Sequence, residues 1–140
     1  MGLKSLTYTS LARLDLTERD LTDIHRSAMT LNALEGITGL LIFNGTHFLQ
    51  IVEGAPDAVE GLLERLRDDR RHDAIEVRDE QLIEERSFEG WSMELVRVSS
   101  RYFEARDTVA QKLPAKLPEQ VADRIFRMTA AISQTVELPG

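Results

Sequence analysis

Two apolar runs separated by the dipeptide Asn44-Gly45 occupy residues 36–54. An Asn-Gly pair supplies the positive φ angles of a tight type I′ turn, so this stretch is predicted to form a β-hairpin. The rest of the chain is organised around this hairpin, because it commits two long apolar runs to neighbouring strands of one sheet.

Gln50 is a polar side chain in the middle of the second apolar run of the hairpin. Side chains alternate along a strand, so Gln50 shares one face with Phe48 and Val52. A buried amide without hydrogen-bond partners costs about 1–3 kcal/mol, so Gln50 needs partners if helices cover this face. Two interpretations remain open: a structural glutamine satisfied by nearby backbone, or a switchable hydrogen-bonding group beside a polar ligand.

Composition limits the classes of function. The chain has 140 residues, a formal net charge of −7 and no cysteine. The length predicts one domain, and the negative charge argues against broad nucleic-acid binding and against attraction to anionic membranes. The absence of cysteine excludes disulfides, thiolate metal sites and cysteine nucleophiles. No apolar run approaches a membrane span and no signal-peptide pattern is present, so we expect a cytoplasmic protein.

Apolar periodicity predicts the secondary structure in the order β-α-β-β-α-β-β, followed by two tail helices. This order is the α+β, ferredoxin-like arrangement with one added strand, in which the first and third strands are central neighbours and both helices lie on one face. The first strand also has a polar face of Ser5, Thr7 and Thr9, which predicts a sheet that is less well covered on its second side. The predicted spans are strands at 3–9, 74–84 and 91–98 beside the hairpin, a helix from Thr17 to about Asn32, a helix from Pro56, and tail helices at 102–113 and 119–132.

This topology brings Tyr8 on the first strand beside Gln50 on the third, beneath the groove between the helices. Asn32, Arg65 and Asp69 are predicted at or near the walls of that groove, where a planar ligand with a polar edge would fit. Asn32 also suits a helix C-cap, and Arg65 and Asp69, four residues apart, either pair with each other or flank a common ligand.

The last predicted strand carries Trp91, Met93 and Leu95 in alternation, so these side chains are predicted to share one face. We divide the chain into a domain at residues 1–98 and a helical extension at residues 99–140. The extension has an apolar stripe that must be buried, either on the sheet face left open by the first two helices or at a dimer or partner surface.

Several motifs together resemble the BLUF family, bacterial blue-light sensors that use FAD. The resemblance covers about residues 3–98. The motifs that carry it are Leu6-Thr7-Tyr8-Thr9-Ser10, Asn32, Gly36-Ile37-Thr38-Gly39-Leu40-Leu41, Phe48-Leu49-Gln50-Ile51-Val52-Glu53-Gly54, Arg70-Arg71-His72 and Phe88-x-x-Trp91-Ser92-Met93.

The resemblance implies that Tyr8 and Gln50 are the photoactive pair and that the cofactor is FAD, with FMN or riboflavin accommodated by the same ring pocket. It also implies that Met93 is a flavin contact, although the sequence leaves open whether Met93 or Trp91 lies against the ring. Leu31 and Ala28 depart from the family, in which these positions are often polar. The other implied contacts are Ile24 and Phe48 on the apolar walls, Asn32, Arg65 and Asp69 around the ring's polar edge, and Arg71 and His72 near the outer side and the phosphates.

The predicted function is therefore a blue-light photoreceptor that binds FAD without a covalent bond and is not an enzyme. No Gly-rich phosphate loop and no metal site is evident in the sequence. Signalling is predicted to reach a separate downstream protein partner or to cross a homodimer. The alternative is a ferredoxin-like small-molecule-sensing module without photochemistry, in which Gln50 is structural. A hydrolase or isomerase is disfavoured, because no nucleophile–base pair is evident among His25, His47 and His72.

Overall fold

The computed structural model describes residues 2–69, 72–99, 101–115 and 117–133. None of the helices in these ranges combines the length and apolar character needed to cross a lipid bilayer. The elements in chain order are β1 (Leu3–Ala12), α1 (Glu18–Glu35), β2 (Thr38–Phe43), β3 (His47–Gly54), α2 (Pro56–Asp68), β4 (His72–Ile83), β5 (Ser92–Arg97), α3 (Tyr102–Lys112) and α4 (Glu119–Ile132).

The strands form one mixed sheet in the order β4-β1-β3-β2-β5. β1 pairs antiparallel with both β3 and β4, β2 pairs antiparallel with β3, and β5 pairs parallel with β2 at the edge. The predicted ferredoxin-like α+β fold is confirmed, including the central pairing of the first and third strands.

Each face of the sheet is covered by a different pair of helices. Helices α1 and α2 pack on the face of Leu6, Leu41 and Val52, and α3 and α4 pack on the face of Leu49 and Ile51. The chain therefore has three layers, with the sheet in the middle. Because side chains of β3 alternate between the faces, the strand that carries Gln50 contacts both helical layers.

Local sequence determines where α1 begins and ends. Thr17 Oγ1 accepts from the Asp20 N–H at 3.1 Å, and Asp20 Oδ2 accepts from the Thr17 N–H at 3.0 Å, which is a capping box. The helix ends at Gly36, whose φ of 69° is accessible to glycine without strain. The prediction that Asn32 is the C-cap is therefore wrong, because the glycine lets the helix continue one further turn.

The hairpin turn also differs from the prediction. Gly45 has a φ of 95°, but the φ of Asn44 is not positive. A type I′ turn requires a positive φ at both central residues, so the predicted two-residue turn is wrong. Asn44 Oδ1 instead accepts from the Thr46 N–H at 3.0 Å and the His47 N–H at 2.7 Å. An asparagine side chain that satisfies two following amides stabilises a longer loop.

Two predictions about faces of the sheet are wrong. The polar face of β1 is not poorly covered: Ser5, Thr7 and Thr9 are all buried, because the sheet side opposite α1 and α2 is covered by the α3–α4 layer. Trp91 does not share a face with Met93. Its ring packs edge-on to Phe88 at 5.6 Å and joins the cluster on the α3–α4 side.

The loop that leads into β5 is fastened to β3 and to the end of α1. The buried Glu53 carboxylate accepts from the Ser87 and Phe88 N–H groups, each at 2.8 Å. Arg86 donates to the carbonyls of Glu53 and Gly36, also at 2.8 Å. Charge-assisted bonds of this kind are stronger than neutral ones, so the start of β5 is held in a defined position.

Candidate functional site

Tyr8 and Gln50 lie directly opposite each other in the β1–β3 register. The Tyr8 phenol O–H donates a hydrogen bond to Gln50 Oε1. Tyr8 is 0% exposed and Gln50 is 3% exposed. The amide oxygen of Gln50 therefore accepts from a side chain and not from the backbone. The interpretation that nearby backbone groups satisfy Gln50 is wrong for this oxygen.

The other end of the Gln50 amide contacts Met93. Gln50 Nε2 donates to Met93 Sδ at 3.0 Å. A thioether sulfur can only accept, so the contact requires the amide nitrogen on the Met93 side and the oxygen on the Tyr8 side. Of the two residues that the sequence left open, Met93 is the one that touches Gln50, because Trp91 lies on the opposite face of the sheet.

Met93 reaches this position through an irregularity in β5. The β2–β5 register shifts between Gly39 and Leu40, where Gly39 pairs with Ser92 and Leu40 pairs with Glu94. Met93 is the residue that is skipped, and its φ is 80°. A bulge of this kind re-aims one side chain relative to simple alternation, which explains why Met93 and Trp91 are on different faces.

Burial raises the pKa of Tyr8 above its ordinary value, and the negative charge of Asp69 raises it further. The physical cause is that a phenolate would lose its hydration inside the protein. The Tyr8 oxygen therefore keeps its proton and remains a hydrogen-bond donor toward Gln50 at neutral pH.

A cavity of about 260 Å³ opens above this pair, between α1 and α2. Its size is near the lower end of ligand clefts, which are roughly 300–1,000 Å³. Apolar side chains provide most of the walls, and the polar groups are at the base and at one end. The lining residues are Tyr8, Ile24, Ser27, Ala28, Leu31, Leu41, Gln50, Leu62, Arg65, Leu66 and Asp69.

Arg65 and Asp69 both line this cavity. The Arg65 guanidinium makes a two-point ion pair with Glu35, with both N–O distances at 3.1 Å. This pair joins the ends of α2 and α1 beside the cavity. The Arg65 side chain is 40% exposed and the Glu35 side chain is 34% exposed. Water therefore screens the pair, which contributes at most about 1 kcal/mol to stability.

Asn32 is fully buried, yet neither its amide nitrogen nor its amide oxygen has a hydrogen-bond partner among the described residues. Its backbone carbonyl, by contrast, accepts from the Ile37 N–H at 2.8 Å. Buried polar groups are nearly always paired, so this amide requires an explanation. A ligand edge with both donors and acceptors would satisfy it, although Asn32 is not among the residues that line the cavity.

The remaining predicted contacts have different locations. Ile24 lines the cavity, whereas Phe48 lies in the core and stacks on Phe43 at 4.7 Å. His72 is the first residue of β4, opposite Ala12, and its side chain is not described. Arg71 lies outside the described residues. Its predicted contact, and that of the His72 side chain, stay predictions.

Sequence reasoning missed several residues of the site. Ser27 follows Ile24 by three positions and precedes Leu31 by four, so helical spacing could have found it. Glu35 and His25 had no such signal, since their partners Arg65 and Met93 are distant in sequence. Within the described ranges, no group of three or more histidine and acidic side chains is arranged to hold a metal ion.

Comparisons with known proteins give one family for this chain. The family model described as BLUF, sensors of blue-light using FAD, matches residues 3–94. The solved structure "BlrP1 BLUF" is 29% identical with a TM-score of 0.80, covering 100% of this chain and 97% of that one. "BlrB - a BLUF protein, dark state structure" is 36% identical with a TM-score of 0.72, covering 93% of this chain and 97% of that one.

A curated relative, the photoactivated adenylate cyclase subunit beta of Euglena gracilis, is 43% identical over 70 residues. The match covers 50% of this chain and only 8% of the relative. The similarity therefore concerns one part of a much longer protein.

The raised pKa of Tyr8 predicts an alkaline limit to stability. An acid with a raised folded-state pKa contributes stability that is fully present below its unfolded pKa and is lost as the pH rises toward the folded value. Above about pH 10, the free energy of unfolding of the wild type should fall by about 1.4 kcal/mol per pH unit relative to Tyr8→Phe. Urea unfolding of both proteins between pH 8 and 11 measures this difference. Equal pH dependence would mean that Tyr8 ionises as easily in the fold as in the unfolded chain.

Proposed function

This chain belongs to the BLUF family, the sensors of blue-light using FAD, and from that premise we propose that Tyr8 and Gln50 are its photoactive pair, beneath a groove that holds the flavin ring. The observation that carries the proposal is the chain of hydrogen bonds from Tyr8 to Gln50 to Met93, of which Tyr8 and Gln50 line the cavity and Met93 does not. It ends in an acceptor of marginal strength, so the orientation of the amide is open to change.

The residues around the cavity fit a flavin. Ile24, Leu41 and Leu62 supply apolar walls for a planar ring. Asn32 does not line the cavity itself but directly follows the lining residue Leu31, and we propose that its side-chain amide meets the polar edge of the ring with both a donor and an acceptor. Arg65 and Asp69 supply opposite charges at the same cavity. FAD, FMN and riboflavin share this ring. Arg71 and His72 are proposed, by the family resemblance, to contact the parts beyond it.

A bound flavin would supply the absorption of blue light and an excited state able to accept an electron. The protein supplies the donor and the hydrogen-bond change. Tyr8 is positioned to release one electron toward the ring and its proton through Gln50 Oε1, to which the protonated phenol is bonded. Both return to Tyr8, so no net oxidation remains. Gln50 then exchanges donor and acceptor, by rotation or tautomerism, at the two ends of its amide.

The geometry gives the two Gln50 orientations different energies. With Nε2 toward Met93, the amide N–H meets an acceptor and the oxygen meets the Tyr8 donor. In the reversed orientation, the amide oxygen would face a thioether that has no proton to donate. The dark state is therefore the orientation described here, and the reversed one requires compensation from elsewhere in the site.

We propose that this domain is a sensor without catalytic activity of its own and that it acts on an effector protein. A relative with a cyclase name contains a similar segment as a small part of its length, which supports a role of this segment in regulation. The identity of the effector, and whether a second copy of this chain takes part, are further proposals that need binding experiments.

The route of the signal is proposed to run through β3 to α4. Leu49 and Ile51 flank Gln50 in β3 and pack in the same cluster as Ile125 and Ile132 of α4. The hairpin loop is joined to the end of α4 by Asn44 Nδ2, which donates to the Ile132 carbonyl at 2.8 Å. A shift of β3 would therefore change the packing of α4 directly.

Blue light should produce a small, reversible red shift of the flavin absorption in the wild type. Tyr8→Phe and Gln50→Leu should each bind flavin and lose the shift, because one removes the donor and the other removes the switching amide. Absorption spectra before and after illumination measure this. A normal photocycle in Gln50→Leu would refute the proposed mechanism.

Asn32→Ala should weaken flavin binding by about 5- to 150-fold, the effect of losing hydrogen bonds worth about 1–3 kcal/mol. It should leave the flavin-free protein as stable as the wild type, because the Asn32 amide has no hydrogen bond to lose within the part of the chain that the structure describes. Flavin titration and urea unfolding measure the two effects.

Asn44→Ala is the matched control, since this buried amide is fully engaged within the protein. It should reduce stability by roughly 1–3 kcal/mol and leave flavin affinity unchanged. If Asn32→Ala behaves like Asn44→Ala, then Asn32 is structural and not a ligand contact.

Illumination should change hydrogen exchange in α4. A coupling of about 1–3 kcal/mol, typical for linked sites, changes local exchange by about 5- to 150-fold. Mass spectrometry of α3 and α4 peptides in the dark and under steady blue light measures this, with Gln50→Leu as the unresponsive control. Identical exchange in both conditions would exclude the tail as the output route.

A further inference from the structure

His25, on α1, contacts the bulge of β5 at the residue that touches Gln50. Its Nε2 lies 2.9 Å from the Met93 carbonyl oxygen. We propose that His25 is a positioning residue for the photocycle: its hydrogen bond holds Met93 in the bulged conformation, and Met93 in turn selects the dark orientation of the Gln50 amide. This inference rests on the proposed function of the Tyr8–Gln50 pair.

The chemistry of the contact fixes the proton on Nε2. A backbone carbonyl can only accept a hydrogen bond, so the imidazole must be the donor and Nε2 must carry hydrogen. His25 is partly buried, whereas Met93 is fully buried. The bond is thus sheltered on one side, and it connects two elements that also share the exposed Glu18–Arg97 ion pair and the apolar cluster of Leu21, Ile24 and Met93.

Met93 needs a holding contact because its backbone is unfavourable. A φ of 80° is uncommon for a residue with an unbranched side chain and persists only where the surroundings enforce it. The described contacts fix it at both ends. His25 binds its carbonyl, and Gln50 Nε2 binds its sulfur.

Gly39 supplies the space for this arrangement. A Cβ at Gly39 would lie 3.0 Å from the Met93 methyl carbon and 1.9 Å from the Ile51 carbonyl oxygen. The Met93 methyl group therefore lies close to the Gly39 backbone, at a place where a side chain at position 39 would crowd it. Without the His25 hydrogen bond, one contact that stabilises the bulge is lost. The strand can then relax toward regular geometry, which would turn Met93 away from Gln50.

The sulfur of Met93 matters because it can accept but not donate. When it is present, it favours Gln50 with the nitrogen on its side, which is the dark arrangement. When it withdraws, the two amide orientations become closer in energy. Loss of the His25 hydrogen bond should therefore act on the balance between dark and light states and leave the flavin site itself complete.

The test compares His25→Phe, which keeps a ring without a donor, with His25→Gln, which keeps a donor of similar reach. His25→Phe should bind flavin and respond to blue light, but return to the dark state about three- to tenfold more slowly, the effect of losing one hydrogen bond from the dark state. Its population of the red-shifted form in the dark should rise by the same factor. His25→Gln should stay within twofold of the wild type.

Glu18→Gln is the control at the same α1–β5 contact, because it removes the exposed ion pair with Arg97 and leaves His25 in place. It should not alter the recovery rate. Recovery in His25→Phe at the wild-type rate, or an equal change in His25→Gln, would overturn the inference. A wild type that binds no flavin or shows no red shift would instead refute the proposed function, independently of these variants.

Nitrogen-15 NMR of the wild-type holoprotein in the dark tests the bond without any substitution. Hydrogen on His25 Nε2, with a coupling to the Met93 carbonyl carbon, is expected. A His25 ring protonated only on Nδ1 would overturn the inference, whatever the folding behaviour of the variants.

Discussion

The pairing of β1 with β3 is the constraint on which the site depends. It places Tyr8 opposite Gln50 in a sheet whose two faces are both covered. Burial removes water as a partner, so the amide must bond to protein groups or to a ligand. The neutral phenol satisfies the amide oxygen and Met93 satisfies the nitrogen. The orientation of Gln50 is therefore determined by two neighbours from two other strands.

The same sheet explains how a change at Gln50 can reach the opposite face. Strand β3 presents Gln50 and Val52 to one helical layer and Leu49 and Ile51 to the other. A close-packed interior transmits small displacements because there are few voids to absorb them. Both helical layers contact β3, so this strand by itself connects the cavity with α4.

Much of this arrangement could be predicted from periodicity and topology. The alternation of β1 and the hairpin gave the faces of Tyr8 and Gln50, and the ferredoxin-like order made them neighbours. Asn32 shows the limit of such reasoning. Its place at the end of a helical stripe suggested a cap, and only the structure shows a glycine cap and an amide with no hydrogen-bond partner among the residues it describes.

The bulge at Met93 could not be predicted, because alternation assumes one residue per register position. Met93 has no partner in the register, so the alternation of side chains between the two faces is reversed after this point. Trp91 and Met93 therefore lie on opposite sides of the sheet. Nothing in the local sequence indicates this, since the contacts that hold the bulge come from His25 and Gln50.

The use of a thioether as the second partner of Gln50 has a consequence for switching. A backbone carbonyl or a carboxylate in its place would accept strongly and hold the amide in one orientation. Sulfur accepts weakly, and the methionine side chain is flexible, so its preference for the dark orientation is small. A ligand-linked event shifts an equilibrium only by the energy difference between its two states. With a weak acceptor, the energy difference between the two Gln50 orientations is small enough for one altered hydrogen bond to reverse it. This requires that the Met93 backbone is held in place. Precise positioning of a weak partner, rather than a strong bond, is therefore the property that this site requires of Met93.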